Sequence, residues 1–303
     1  MTQTLVGIIG GSGLYQMEGL QDAKEHSMQT PFGNPSDAIV TGTVSGVGVA
    51  FLARHGRGHR LLPTEVPYRA NIHALKQLGV RYVLSVSAVG SLREDFKPLD
   101  MVLPDQFIDM TKRRESSFFG NGAVAHVSMA QPVCALVSDA LARAVRLVLE
   151  AESAQTRGNI TLHQGGTYVC MEGPQFSTQA ESHWYRSMGA AIIGMTNMPE
   201  AKLAREAELC YCSVSMVTDF DCWHPGHDAV TVDSVIRVLL GNAQTARTLV
   251  AGLAGTITED AQASGCSCRH ALDQALITAP EARDPAVVER LRVIAGRVLG
   301  AKA

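Results

Sequence analysis

Apolar and polar residues alternate in blocks along the chain. Short apolar runs rich in β-branched residues stand at Leu5–Ile9, Val47–Ala53, Tyr82–Ser87, Met101–Leu103, Thr167–Met171, Ala191–Met195 and Leu209–Val217. Runs of this kind, bounded by Gly, Pro, Asn or Asp, predict largely buried strands. Between them, helices are predicted from near Pro67, Pro132, Ser177, Pro199 and Thr231. In the first helix Tyr68, Ile72, Leu75 and Leu78 recur at helical spacing, and Gly79 follows as a stop. Thr178-Gln-Ala-Glu181 has the form of a capping box. Val232, Val235, Ile236 and Leu239 form an apolar stripe on the last. This alternation predicts an α/β fold with a central mixed sheet flanked by helices. Ala261–Thr278 and the helix-like run Pro285–Leu299 read as an added element. The expected organisation is a single domain over residues 1–280 with a C-terminal helical extension over 281–303.

Composition narrows the partners. The chain has 303 residues, 46% of them hydrophobic, which suffices for one large core. Net charge is −3 and no basic stripe is visible, so no nucleic-acid partner is expected. The opening Met1-Thr-Gln-Thr-Leu-Val-Gly-Ile-Ile9 lacks a charged n-region, and a glycine interrupts it. It reads as neither a signal peptide nor a membrane span, so the expectation is a cytoplasmic protein with no membrane partner. Seven scattered cysteines argue against a secreted disulfide framework. The one local cluster is Cys266-Ser-Cys268. Zinc sites normally pair such a cluster with a second one, and none follows. The expectation is therefore no metal and reduced thiols, with a disulfide as the alternative.

Candidate chemistry gathers where strands end. Ile8-Ile9 leads into Gly10-Gly11-Ser12-Gly13, and Phe51-Leu-Ala53 into Arg54-His55-Gly56. Ser87 and Ala88 follow Val83–Val86, Thr196 follows Met195, and Asp219 follows Thr218. Ligands of open α/β sheets bind outside the carboxyl ends of strands. Hydroxyls, one Arg and glycine-rich backbone suit a phosphate-sized anion. A plain turn for the glycines and a surface ion pair for Arg54 are the simpler readings. The dinucleotide fingerprint fails at Gln16, and neither a Walker loop nor a nucleophile elbow is present. His55 and His59 stand four apart, but Gly56 and Gly58 argue against a helical metal pair.

Asp219 and Asp221 stand two apart at the end of an apolar run. If the chain stays extended, alternation puts both on one face, and one pKa is pushed up by its neighbour. One group then donates while the other accepts, which matches N7 and the amino group of a 6-aminopurine. A metal site or a loop cap is the other reading of such a pair. An acidic subsite beside an anion subsite describes phosphate attacking a nucleoside.

These residues carry a resemblance. Gly7-Ile-Ile-Gly-Gly-Ser-Gly13, Ala53-Arg-His-Gly-Arg57, Ser87-Ala-Val-Gly-Ser-Leu-Arg93, Asp105-Gln-Phe-Ile-Asp109, Met171-Glu-Gly-Pro-Gln-Phe-Ser177, Met195-Thr196 with Pro199-Glu200, and Thr218-Asp-Phe-Asp-Cys-Trp223 are similar to motifs of the trimeric purine nucleoside phosphorylase family. The likeness is to its methylthioadenosine-cleaving members, over about residues 5–278. It implies the nucleoside phosphorylase fold, with a partly barrel-like sheet. It implies a phosphate site at Ser12, Arg54, His55, Ser87, Ala88 and Thr196. A purine site follows at Asp219 and Asp221 with Phe176 near the base, Asp219 acting as the acid and Met195 against the ribose. Ser177, Val232 and Val235 match positions tied to substrate preference. His126 is expected to reach a neighbouring subunit's pocket in a homotrimer. Nucleoside and inorganic phosphate are the implied partners, and no cofactor is needed. Gly194 departs from the pattern, standing where an Asn is usual. The rivals are a phosphorylase for 6-oxopurines or methylthioinosine, and a non-catalytic nucleotide or anion sensor on the same fold.

Overall fold

The computed structural model describes residues 4–11, 20–153, 160–226 and 266–300. Three long parallel strands form its centre: β1 (Thr4–Gly10), β5 (Tyr82–Ser91) and β11 (Cys210–Asp219). The sheet path runs β2 (Gln21–His26), β3 (Ile39–Val44), β4 (Val47–Ala53), β1, β5, β10 (Ala190–Gly194), β9 (Thr167–Cys170) and β7 (Gln106–Asp109). A branch leaves β5 through β11 to β6 (Met101–Leu103) and β8 (Leu162–Gln164). The fork exists because β5 outruns β1. Tyr82 to Ser85 of β5 pair with β1, whereas Gly90 and Ser91 pair with β10, which runs antiparallel. Among the described residues the sheet does not close, so it is an open, forked mixed sheet rather than a barrel.

Strand alternation divides the core into two layers. Ile9, Val83, Tyr211 and Val217 face one layer with α1 (Tyr68–Gln77), α4 (Asn197–Glu206) and the C-terminal helices α5 (Pro285–Arg290) and α6 (Arg292–Leu299). Val6, Ile8, Leu84, Val214 and Met216 face the other, with α2 (Ala135–Ser153). Val287, Leu291, Ile294 and Leu299 lie in the first layer, so the segment after residue 280 is built into the core. The Arg297–Glu208 ion pair ties it to the turn before β11.

Most predicted elements form close to their expected bounds. Gly79, at φ +88°, ends the first helical segment. Both hydrogen bonds of the Thr178–Glu181 capping box open α3 (Gln179–Ser187). α4 is interrupted at Met198 (φ −117°, ψ 131°), as expected of a residue preceding proline, so its regular turns start at Pro199. The helix predicted from Thr231 lies outside the described residues. Four strands escaped the sequence reading: β2, β3, β7 and β8. β2 is almost wholly exposed and polar, and β8 has three residues, so neither carries a period-2 apolar signal.

Candidate active site

Arg54 follows β4 and turns inward. Its side chain is 3% exposed and pairs with Glu200, itself 1% exposed, through Nε at 2.9 Å and Nη2 at 3.2 Å. Nη1 donates to the Val86 carbonyl (3.0 Å), and Nη2 to the Ile9 carbonyl (3.2 Å) and the Ser85 hydroxyl (2.7 Å). The Tyr211 hydroxyl also donates to Glu200, at 2.9 Å. Burial alone would lower the guanidinium pKa, but Glu200 outweighs it and the pKa rises. Arg54 thus clamps β1, β5 and α4 together. One Nη1 hydrogen has no acceptor among the described residues.

His55 is partly buried and stacks on His59 with ring centroids 4.3 Å apart. Its Nδ1–H donates to the Leu61 carbonyl at 2.8 Å, which fixes the tautomer and leaves Nε2 as the acceptor. Burial, followed by the Arg54 charge, pushes its pKa down to about 4, so the ring is neutral at pH 7. Further along β5, the Ser87 hydroxyl lies 3.5 Å from that of Ser215, on the paired strand β11, with Ala88 next. β10 ends at Gly194, and Met195 and Thr196 follow it into the start of α4. Arg54 thus reaches β5 at Ser85 and Val86, directly before Ser87 and Ala88 on the same strand. Ser12 lies outside the described residues.

The acid pair is built differently from the extended geometry expected. The strand ends at Asp219, and Asp221 turns into a left-handed conformation at φ +50°. The Asp221 backbone N–H donates to Asp219 Oδ1 at 2.7 Å, while the Thr218 hydroxyl donates to Oδ2. The two side chains are brought together by an Asx-type turn, not by strand alternation. Both stand over Gly90, where an added Cβ would lie 3.0 Å from Asp219 Oδ1 and 3.4 Å from the Asp221 Cβ. The Asp219 pKa is raised chiefly by burial; the two hydrogen bonds oppose this, and Asp221 adds the smallest contribution. The expected push from the neighbouring carboxylate is present, and burial contributes more.

A loop from Met171 to Ser177 faces the acid turn. The Cys222 thiol donates to the Ser177 carbonyl at 3.3 Å, and the Ser177 hydroxyl to Met171 Sδ at 3.7 Å. Phe176 is exposed beside it. The Met195 side chain crowds Gly173, where an added Cβ would lie 2.5 Å from Sδ. Arg114 holds these pieces in place: Nη1 donates to the Met195 and Met198 carbonyls (2.6 and 2.7 Å), and Nη2 to that of Glu172 (2.7 Å). Sequence reasoning missed it, because Lys112-Arg113-Arg114 reads as a solvated charge run. It missed Ser85 and Tyr211 because both point inward from strands.

His126 is exposed, and its backbone N–H donates to the Ala275 carbonyl at 2.8 Å. No described contact joins it to the residues above. Val232 and Val235 lie outside the described residues.

Gly194 has a steric explanation. A Cβ there would meet the Tyr168 hydroxyl at 2.0 Å and Cζ at 2.6 Å, and Tyr168 is fully buried. The tyrosine occupies the space a side chain would need, and its hydroxyl accepts from the Thr196 N–H at 3.5 Å. Gly194→Ala is expected to destabilise the fold by about 1–3 kcal/mol through overpacking. Urea unfolding measures this, and an unchanged midpoint would mean that Tyr168 can move aside.

An open α/β sheet with an acid turn and an anion-suited fork at adjacent strand ends is the frame of a nucleoside-cleaving enzyme. Residues 5–254 match the family model described as the phosphorylase superfamily, and the chain belongs to that superfamily. The S-methyl-5′-thioadenosine phosphorylase of Koribacter versatilis is 55% identical over 298 residues, covering 98% of each chain. A crystal structure of a methylthioadenosine phosphorylase from an antarctic soil metagenomic library superposes with a TM-score of 0.89 at 54% identity, covering 97% of this chain and 99% of the other. A variant adenosine/methylthioadenosine phosphorylase from Schistosoma mansoni, in complex with methylthioadenosine, gives 0.77 at 37% identity, covering 86% and 94%. The family resemblance read from the motifs is borne out.

Proposed function

We propose that this enzyme cleaves S-methyl-5′-thioadenosine with inorganic phosphate, giving adenine and 5-methylthioribose 1-phosphate. The observation that carries the reading is the buried acid turn at the end of β11, in a chain so similar to methylthioadenosine phosphorylases. A phosphate oxygen bonds to C1′ as the C1′–N9 bond breaks, and the departing purine takes a proton. Asp219, its pKa raised by burial, protonates or strongly hydrogen-bonds N7. Asp221 accepts from the 6-amino group. Phosphate is received by the spare Nη1 hydrogen of Arg54, by the hydroxyls of Ser12, Ser87 and Thr196, and by the backbone at Ala88, while the neutral His55 accepts at Nε2 from a protonated phosphate oxygen. The anion stabilises the oxocarbenium-like sugar before bonding to it, so positioning and electrostatics supply most of the rate.

Met195 lies against the ribose and Phe176 near the base, while Ser177, Val232 and Val235 shape the 5′ pocket. The reading includes a homotrimer in which exposed His126 reaches a neighbour's site, a cytoplasmic setting, and no organic cofactor. No described helix is long and apolar enough to cross a membrane.

Phosphorolysis of methylthioadenosine, adenosine, methylthioinosine and inosine, measured side by side, tests the reading. Methylthioadenosine is expected to exceed adenosine in kcat/KM by about 10-fold to 100-fold, since an apolar 5′ pocket leaves a hydroxyl unpaired. Equal use of the two removes the thioether pocket. Preference for the inosine compounds would make the enzyme a 6-oxopurine phosphorylase, and absence of base release would leave a sensor.

A further inference from the structure

The fold assembles a second cluster of reactive side chains at the other end of β11. Cys210 opens that strand, and Asp219 closes it nine residues later, about 30 Å away at ordinary strand rise. Cys134 immediately precedes α2, with its N–H donating to the Tyr211 carbonyl at 2.9 Å. Cys266 and Cys268 lie at a 3-10 turn over Ser267–His270. The four sulfurs all lie within 4.8 Å of one another, and the Cys210–Cys266 pair is 3.3 Å apart. The cluster that seemed to lack a second pair in sequence is completed by two single cysteines from distant segments.

We propose that Cys134, Cys210, Cys266 and Cys268 bind one Zn²⁺ ion as a structural tetrathiolate site. A Zn–S distance of about 2.3 Å gives a tetrahedron with edges of about 3.8 Å. The Cys210–Cys266 separation of 3.3 Å and the upper bound of 4.8 Å for all pairs lie on either side of that edge. Each sulfur faces all three others, as a single central ion requires, and none of the seven cysteines is in a disulfide. A two-iron cluster would hold its cysteine pairs farther apart, across a second metal.

A second observation points the same way. Arg205, 9% exposed, directs Nη1 at Cys268 Sγ (3.6 Å) and Nη2 at the Gln131 carbonyl. Among the described residues no carboxylate pairs with it. A buried guanidinium needs a counter-charge, and four thiolates around Zn²⁺ carry a net charge of −2. Neutral thiols would leave that cation facing apolar sulfur. The ion would fasten the C-terminal segment and the start of α2 to β11, so its binding energy is folding energy.

Metal analysis of enzyme purified in reductant without chelator is expected to give about one zinc per chain. Denaturation should then release all seven thiols. Cys268→Ser and Cys134→Ser are expected to lower zinc below about 0.1 per chain and to lower Tm, with turnover retained at low temperature in whatever folds. The wild-type protein supplies a readout independent of folding variants. X-ray absorption at the zinc edge should show sulfur alone at about 2.3 Å, and Co²⁺ exchange should give thiolate-to-metal charge-transfer absorption. Reduced enzyme that stays metal-free after incubation with Zn²⁺ overturns the proposal. So does a thiol count short by two or four in freshly isolated protein, which would assign the sulfurs to disulfides.

Discussion

Asp219→Ala is expected to lower kcat/KM for adenine nucleosides by about 10²–10⁴-fold, the usual contribution of a general acid. An ordinary aspartic acid has a pKa of about 3.9, so holding its proton at pH 7 costs about 4 kcal/mol. In this fold the opposing push comes mainly from burial, and the Thr218 and Asp221 hydrogen bonds work against it. Binding of a base whose N7 offers a lone pair must supply the rest. Activity that depends on the protonated acid therefore falls as pH rises through the raised pKa. Asp219→Asn keeps an acceptor for the Asp221 N–H and can hydrogen-bond N7, but has no proton to transfer. It should lose less on 6-oxopurines than on 6-aminopurines. Steady-state kinetics on both classes decide the matter: an alanine variant within threefold of wild type removes Asp219 from the chemistry.

Arg54→Ala is expected to damage the fold as well as phosphate binding. The substitution strands Glu200, 1% exposed, with only the Tyr211 hydroxyl as a described partner. Breaking a buried ion pair from one side costs about 3–5 kcal/mol, because the remaining charge is uncompensated. For a chain of this size that corresponds to a Tm loss on the order of 10 °C. Glu200→Gln in the same chain should recover part of it. The double variant then isolates the ligand effect. Loss of one charge-assisted hydrogen bond, about 1.5–3 kcal/mol, should raise the phosphate KM by about tenfold or more. A phosphate titration that overlays wild type in the double variant makes Arg54 a structural clamp alone.

The outer ends of the strands were legible in the sequence, and what lies beneath them was not. Arg54, Ser87, Thr196 and Asp219 announce themselves as polar residues directly after apolar runs. Ser85 and Tyr211 sit inside such runs, where alternation cannot tell a buried hydroxyl from core. β5 extends to Ser91 because β11 pairs with it through Gly90 and β10 with Gly90 and Ser91, partners about one hundred residues or more away in the chain. The extended alternative considered for Asp219 and Asp221 does not form, because Asp221 is held left-handed by the hydrogen bond of its N–H to Asp219. Cys134 and Cys210, single cysteines in apolar surroundings, carry no spacing signal at all. Only the folded chain brings them to Cys266 and Cys268.

The left-handed backbone at Asp221 also bears on how such an enzyme changes substrate over generations. Asn and Asp are the non-glycine residues that enter this conformation most readily, since their short side chains bond the local backbone. Exchanging the carboxylate at φ +50° for an amide therefore asks nothing new of the main chain. The codons for the two residues differ by one base. With Asp221 in its proposed role, one mutational step turns an acceptor for an amino group into a donor for an oxo group. Most other side chains at this position must first overcome left-handed strain of about 1–2 kcal/mol. The turn thus leaves one evolutionary exit open, toward the oxopurines, and closes most of the rest.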